Sequence, residues 1–239
     1  AARGSASAQF LLGMACTNGD GVPRNVSEAT QWFLKAAAQG SSNLRRAAKA
    51  SYNVAVAYRE GLGVPVDPAA ALAWFKRAAE QGSARAKYNL AIAYSRGDGA
   101  EADQAAALAW YREAAEQGHM MAAYNLAYAH LSGQGAPLDE AEAARWFLRS
   151  AELGSDNGQF MMGVLHKQGK GVERNLTAAV SWYRRAAEQG HARAQHNLAA
   201  ALEAGLGAPG NASEAEEWYA RASAQGVPRQ RRAPAAGAP

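Results

Sequence analysis

"SARAKYNLAIAYSRGDGAEADQAAALAWYREAAEQG", residues 83–118, contains two amphipathic stretches separated by a glycine turn. In the first, Ala84, Tyr88, Ala91 and Tyr94 or Ser95 share one face at helical spacing. Gly97 stops that helix. The second starts at Asp103 and carries Ala107, Trp110, Tyr111, Ala114 and Ala115 as a wide apolar stripe. Gly118 closes it, where a left-handed residue commonly ends a helix. The stretch therefore predicts a helix–turn–helix hairpin.

The same hairpin recurs along the chain. Tryptophan falls at 32, 74, 110, 146, 182 and 218, so the spacing is 42 once and then 36 throughout. The second glycine of a Gly-x-Gly pair (21, 63, 99, 135, 171, 207) and a closing glycine (40, 82, 118, 154, 190, 226) keep the same spacings. Six repeats follow, with six extra residues between the first and second, around "SSNLRR". One hairpin cannot bury both of its apolar stripes, so neighbours must stack.

Three columns of the repeat have clear physical readings. Asn25, Asp67, Asp103, Asp139, Asn175 and Asn211 stand four residues after the second glycine. Asn and Asp accept orphan N–H groups at a helix start, so all six are expected N-caps. Gly13, Ala55, Ala91, Ala127, Gly163 and Ala199 are always small, as a close helix–helix approach requires. The six tryptophans read as inter-helix core, each followed by a second aromatic residue.

Composition narrows the function. The 239 residues include one cysteine, Cys16, which excludes an internal disulfide framework and a multi-cysteine zinc site. The net charge of +4 is mild, and no basic face is rich enough to indicate nucleic acid. No apolar run approaches the roughly 18 residues of a transmembrane helix, so no membrane insertion is expected. The N-terminal "AARGSASAQF" lacks the apolar core of a signal peptide.

"SRGDGAEAD", residues 95–103, contains Arg-Gly-Asp and suggests calcium or phosphate loops as well. Its sister turns carry Leu or Lys where Asp98 stands, which excludes a repeated metal role. Phosphate cradling needs a preceding strand, and the pattern is helical. Three Asn-x-Ser/Thr sequons, at Asn25, Asn175 and Asn211, coincide with the cap column, which capping explains in all six copies. His130 and His166 share a column, but two histidines without carboxylate support make a poor metal site. No nucleophile is paired with a base by the pattern. No catalytic residue, metal or cofactor is therefore assigned.

The combination "YNLAIAYSRGDG" and "ALAWYREAAEQG" resembles the Sel1-like repeat, an α/α relative of the tetratricopeptide repeat. The resemblance covers roughly residues 8–226. It implies an all-α, right-handed superhelical solenoid over 1–226, with repeats near 8–40, 50–82, 83–118, 119–154, 155–190 and 191–226. Residues 227–239 are then a flexible tail. The family members are adaptors and scaffolds, so the implied function is a non-enzymatic scaffold binding a protein or peptide in its concave groove. Bacterial signalling or envelope assembly is the implied setting, in periplasm or cytoplasm. Cysteine-rich relatives linked to β-lactams provide an alternative, although this chain lacks their paired cysteines, and cell-wall glycan binding is another.

The groove candidates are Asn53, Asn89, Asn125 and Asn197, which share a first-helix column with Leu11 and Met161. In related tetratricopeptide repeats asparagine at the matching position bonds a bound peptide's backbone. Here the column serves a groove, ladders between repeats, or is exposed. Arg85 and Arg193 stand four residues earlier and suit an acidic or C-terminal segment. Ile92 and Tyr128, three residues later, offer apolar contact. The array's ends allow end-to-end self-association, although Glu216 and Glu217 in the last repeat suit a self-capping edge. Because Asp98 is replaced by leucine in two sister turns, Asp98→Leu should leave the thermal melting point nearly unchanged.

Overall fold

The protein is described by a computed structural model that places residues 5–39 and 44–229. Among these residues there are twelve α-helices and no strand. They divide into two compact units, one ending at Ala122 and the other beginning at Ala123. The first contains α1 (Ala6–Asn18), α2 (Val26–Ala38), α3 (Leu44–Glu60), α4 (Pro68–Glu80), α5 (Ala84–Arg96) and α6 (Gln104–Glu116). The second contains most of α7 (Met120–Ser132), then α8 (Glu140–Glu152), α9 (Asp156–Gln168), α10 (Leu176–Glu188), α11 (Ala192–Ala204) and α12 (Ala212–Ala224). Consecutive helices pair as hairpins, and within each unit each hairpin packs on the next. The architecture is an all-α array of stacked hairpins.

The described part of the insertion, Leu44–Arg46, is helical, so α3 has 17 residues where the other helices have 13. The remainder of the insertion lies outside the described residues.

All six second helices start as the sequence predicts. The cap oxygen of Asn25, Asp67, Asp103, Asp139, Asn175 or Asn211 accepts the backbone N–H three residues on, at 2.9–3.1 Å. The same residue's own N–H donates back to the first helix. Asn25, Asp67 and Asp103 reach the carbonyls of Cys16, Tyr58 and Tyr94; Asp139, Asn175 and Asn211 reach those of His130, His166 and Leu202, all at 2.8–3.0 Å. One residue thus ties the end of one helix to the start of the next.

The second glycine of each turn has a further role. Gly99 has φ +85°, and a β-carbon there would run into the Pro68 carbonyl oxygen at the start of the preceding repeat's second helix. Gly171 meets Glu140 and Gly207 meets Leu176 in the same way. Gly21, in the first repeat, has nothing within 4 Å. The glycine column therefore records contact between repeats as well as backbone handedness.

The aromatic core differs from the expectation in one respect. Of each aromatic pair, the second member is buried: Phe33, Phe75, Tyr111, Phe147, Tyr183 and Tyr219. The tryptophans are half-buried except Trp218. Their indoles lie under cations, with Lys35 over Trp32, Arg77 over Trp74 and Arg185 over Trp182 at 4.4–5.1 Å. Trp32, Trp146 and Trp218 also donate to glutamates four residues earlier. For the half-buried indoles, such partners are met at an edge near solvent, whereas Trp218 keeps its glutamate bond while buried. The small column does what its size predicts: a β-carbon on Gly163 would come within 2.5 Å of the Tyr183 ring, and one on Gly13 within 2.6 Å of Phe33.

Buried polar side chains link successive repeats. Gln159 donates to the Ala151 carbonyl and accepts from Gln189; Gln195 donates to Ala187 and accepts from Gln225. In the first unit, buried polar groups tie the two helices of one repeat instead: Ser51 donates to Gln81, and Lys87 is ion-paired with Glu113 at 2.9 Å.

The last repeat has a polar edge. Glu216 occupies the column held earlier by Thr30, Leu72, Leu108, Ala144 and Val180. Arg229 pairs with both Glu203 and Glu216 and lies 4.7 Å over the Tyr219 ring. The rest of the tail, 230–239, lies outside the described residues.

The glycine contacts predict an ordered cost. Gly99→Ala meets both a strained φ and a backbone clash, whereas Gly21→Ala meets only the strain of about 1–2 kcal/mol. Urea unfolding should show the larger loss for Gly99→Ala; equal losses would mean that the inter-repeat contact is immaterial.

Candidate functional site

Clefts recur where one repeat's second helix, from its N-terminal half, faces the next repeat's first helix. Among the described residues such clefts include two in the first unit and one in the second. Between the first and second repeats the lining includes Phe33, Thr30, Asn53 and Val56. Between the second and third it includes Arg59, Leu72, Phe75, Asn89, Ile92 and Arg96, around about 670 Å³. Between the fifth and sixth it includes Lys167, Val180, Tyr183, Asn197, Ala200 and Leu206, around about 110 Å³. The floor is apolar each time because the buried aromatic of the second helix forms it. The wall is polar because the asparagine column faces inward from the first helix.

Asn53, Asn89 and Asn197 therefore each line a cleft, and Ile92 joins Asn89. Their amides are partly engaged. Asn89 Oδ1 accepts from an Arg59 guanidinium nitrogen at 2.6 Å, and its Nδ2 donates to the Arg85 carbonyl at 2.8 Å. Asn53 Nδ2 lies 3.9 Å from Met14 Sδ. The ladder reading of the column is thus realised at Asn89 only through Arg59, a residue of the preceding repeat. Asn125 is half-buried on α7, and Tyr128 is 49% exposed on the same helix. Arg85 and Arg193 are exposed and line none of these clefts.

The cationic residues that line these clefts are Arg59, Arg96 and Lys167, none of which stands in the asparagine column or four residues before it. Arg59 is held by Glu60 and lies 5.5 Å over Phe75. Arg96 and Asp98, incidental to the turn, both border the large cleft. The signal that would have found Arg59 and Lys167 is their shared column, one residue after Tyr58 and His166, which turns toward the cleft.

The family model for the Sel1 repeat matches residues 6–41, 48–83, 84–119, 121–155, 157–191 and 192–227. The chain belongs to the Sel1 repeat family. Sel1 repeats generally mediate protein–protein interactions. Among solved structures, c5321 of uropathogenic Escherichia coli, described as a protective antigen displaying an SLR fold, is 36% identical with a TM-score of 0.87. That match covers 93% of this chain and 46% of c5321. A Sel1 repeat protein from Oxalobacter formigenes is 32% identical with a TM-score of 0.82, over 94% of this chain and 63% of the other. The chain thus spans about half to two thirds of the length of these relatives. No curated protein matches it.

Other chemically capable residues of this Sel1 repeat protein have structural partners. Cys16 is buried, and that burial pushes its thiol pKa up, helped by the Glu28 carboxylate. Nδ1 of His130 and of His166 each lies 3.3 Å from a turn carbonyl, that of Pro137 or Glu173. Among the described residues no three His, Cys, Asp or Glu side chains cluster as metal ligands, and no helix is long and apolar enough to cross a membrane.

His119 and His191 are helix N-caps of an unusual kind. Nδ1 of each accepts a backbone N–H, from Ala122 at 3.3 Å and Ala194 at 3.1 Å, where sister repeats use Ser83 and Ser155. Their rings stack on Tyr88 and Phe160 at 4.4 and 4.6 Å. Burial holds both imidazoles below the ordinary 6.5, with Arg85 reinforcing this at His119. At His191 burial is opposed by Asp156 and by a backbone bond, and reinforced by Arg193. Protonation would also remove the acceptor that caps the helix. With the folded values depressed, the unfolded chain takes up protons first as pH falls below 6.5, so stability falls with pH in that window. His191→Ser keeps a capping oxygen and removes one titration. Denaturation midpoints measured near pH 7.5 and pH 5.5 should lie closer together in that variant; an unchanged gap would refute the coupling.

Proposed function

We propose that this chain is a non-catalytic adaptor that holds an extended segment of a partner protein along its inter-repeat clefts. The recurrence of one cleft design supports this reading: an apolar floor from the second helix and an asparagine wall from the first, joined in two of the three clefts by a cation at the rim. Such a pattern suits a ligand that is itself repetitive, and an extended polypeptide presents amides and side chains at regular intervals. The Asn89 amide has spare capacity, retaining one N–H and one lone pair after its two bonds. The apolar floors would take partner side chains, and Arg59, Arg96 and Lys167 would favour acidic ones. The likeness to bacterial relatives, one described as a protective antigen, favours a bacterial setting and the envelope as the place of action.

The test places a photo-crosslinking amino acid at Ile92 in the large cleft, and separately at exposed Ala109 on α6. The partner should crosslink from residue 92 and not from residue 109. Asn89→Leu, which copies Leu11 in the same column, should abolish the crosslink and lower the melting temperature by no more than about 4 °C, roughly 1 kcal/mol in a chain of this size. Equal crosslinking from both positions would sink the proposal.

A further inference from the structure

The cleft between the fifth and sixth repeats has a hydroxyl that the fold does not need. Tyr183 is 2% exposed, and its hydroxyl meets no partner at hydrogen-bond geometry. Burial pushes its pKa up to about 12, partly opposed by the Asn197 amide, which lies close enough to serve the phenolic oxygen as a donor but offers the O–H proton no acceptor at hydrogen-bond geometry. Three sister repeats place Phe33, Phe75 or Phe147 in this column, so an aromatic ring alone satisfies the packing. A buried hydroxyl proton without an acceptor is costly, which makes its presence here informative.

The next repeat shows what such a hydroxyl accommodates. Tyr219, 36 residues on, donates to Glu203 at 2.9 Å, and the Glu203 carboxylate is also paired with Arg229. Glu203 is the counterpart of Lys167, which lies one period earlier. The fifth repeat therefore keeps the tyrosine but replaces the carboxylate by an ammonium. Lys167 forms no ion pair among the described residues, and Lys167, Tyr183 and Asn197 line one cleft of about 110 Å³. At about 30 Å³ per water, that volume holds between three and four waters, or one small polar group. The side-chain groups supplied are a phenol, a carboxamide and an ammonium, between walls formed by Val180, Ala200 and Leu206.

From this arrangement we infer that the cleft is a carboxylate pocket, filled by an aspartate or glutamate side chain of the segment bound under the proposed function. The incoming carboxylate takes the place that Glu203 takes one repeat later. It accepts from the Tyr183 hydroxyl and an Asn197 N–H, and it pairs with Lys167. The aliphatic stem rests on the apolar walls. A neutral amide of the same shape forfeits the ion pair and brings N–H groups against donors, so the pocket discriminates by charge.

The experiment titrates the full-length, isotope-labelled chain with N-acetyl-aspartate N-methylamide and follows the NMR signals of Ala200, Ala201 and the Asn197 side chain. Saturable shifts are expected, with N-acetyl-asparagine N-methylamide at least about tenfold weaker. Tyr183→Phe, which copies the sister repeats, should weaken aspartate binding about tenfold while holding or raising the melting temperature. Wild-type affinity in Tyr183→Phe, or equal binding of the asparagine probe, would overturn the pocket. Acetate binding as tightly as the capped aspartate would overturn the polypeptide source in favour of a free small carboxylate. The residue-92 crosslink reads a different cleft, so it stands or falls independently of this result.

Discussion

One residue per repeat connects the end of one helix to the beginning of the next. The cap asparagine or aspartate accepts an N–H from the helix it starts and donates its own N–H to a carbonyl of the helix before it. Because Asp103 holds both Ala106 and Tyr94, the angle between α5 and α6 is fixed by two short bonds rather than by packing alone. That angle sets which way each buried aromatic points. The clefts follow from it, since Phe33, Phe75 and Tyr183 form their floors.

The period, the hairpins, the caps and the small column were all legible in the sequence, because each recurs and recurrence separates structural demands from local accident. The inner surface was less legible. Asn53, Asn89 and Asn197 line clefts, as do Arg59 and Lys167, whereas Arg85 and Arg193 are exposed and line none of the three described. A helix turns 100° per residue, and the face that meets the next repeat depends on how hairpins stack, which no single repeat reveals. The tryptophans show the same limit. Their strict spacing marks a structural role, yet their indoles need glutamates and cations at the edge, so the smaller aromatic beside them takes the core.

Differences between copies proved more informative than their agreement. Tyr183, Tyr219 and Phe147 occupy one column, and only comparison of their neighbours separates an internally satisfied hydroxyl from an orphaned one. The histidine caps illustrate the same principle. His191 does the work of Ser155, but it does so with a group that titrates, so one repeat boundary acquires a pH dependence its neighbour lacks.

The contact between each second glycine and the preceding repeat also constrains how such a protein changes length. Residues added between a first helix and its partner would move the glycine away from the helix start it touches. The extra residues of this chain lie elsewhere, after the closing glycine of the first hairpin, where three of them, Leu44–Arg46, belong to α3. The array is therefore a molecule with designated splice points: duplication, deletion or grafting of whole hairpins is tolerated at the closing glycines and penalised at the inner turns.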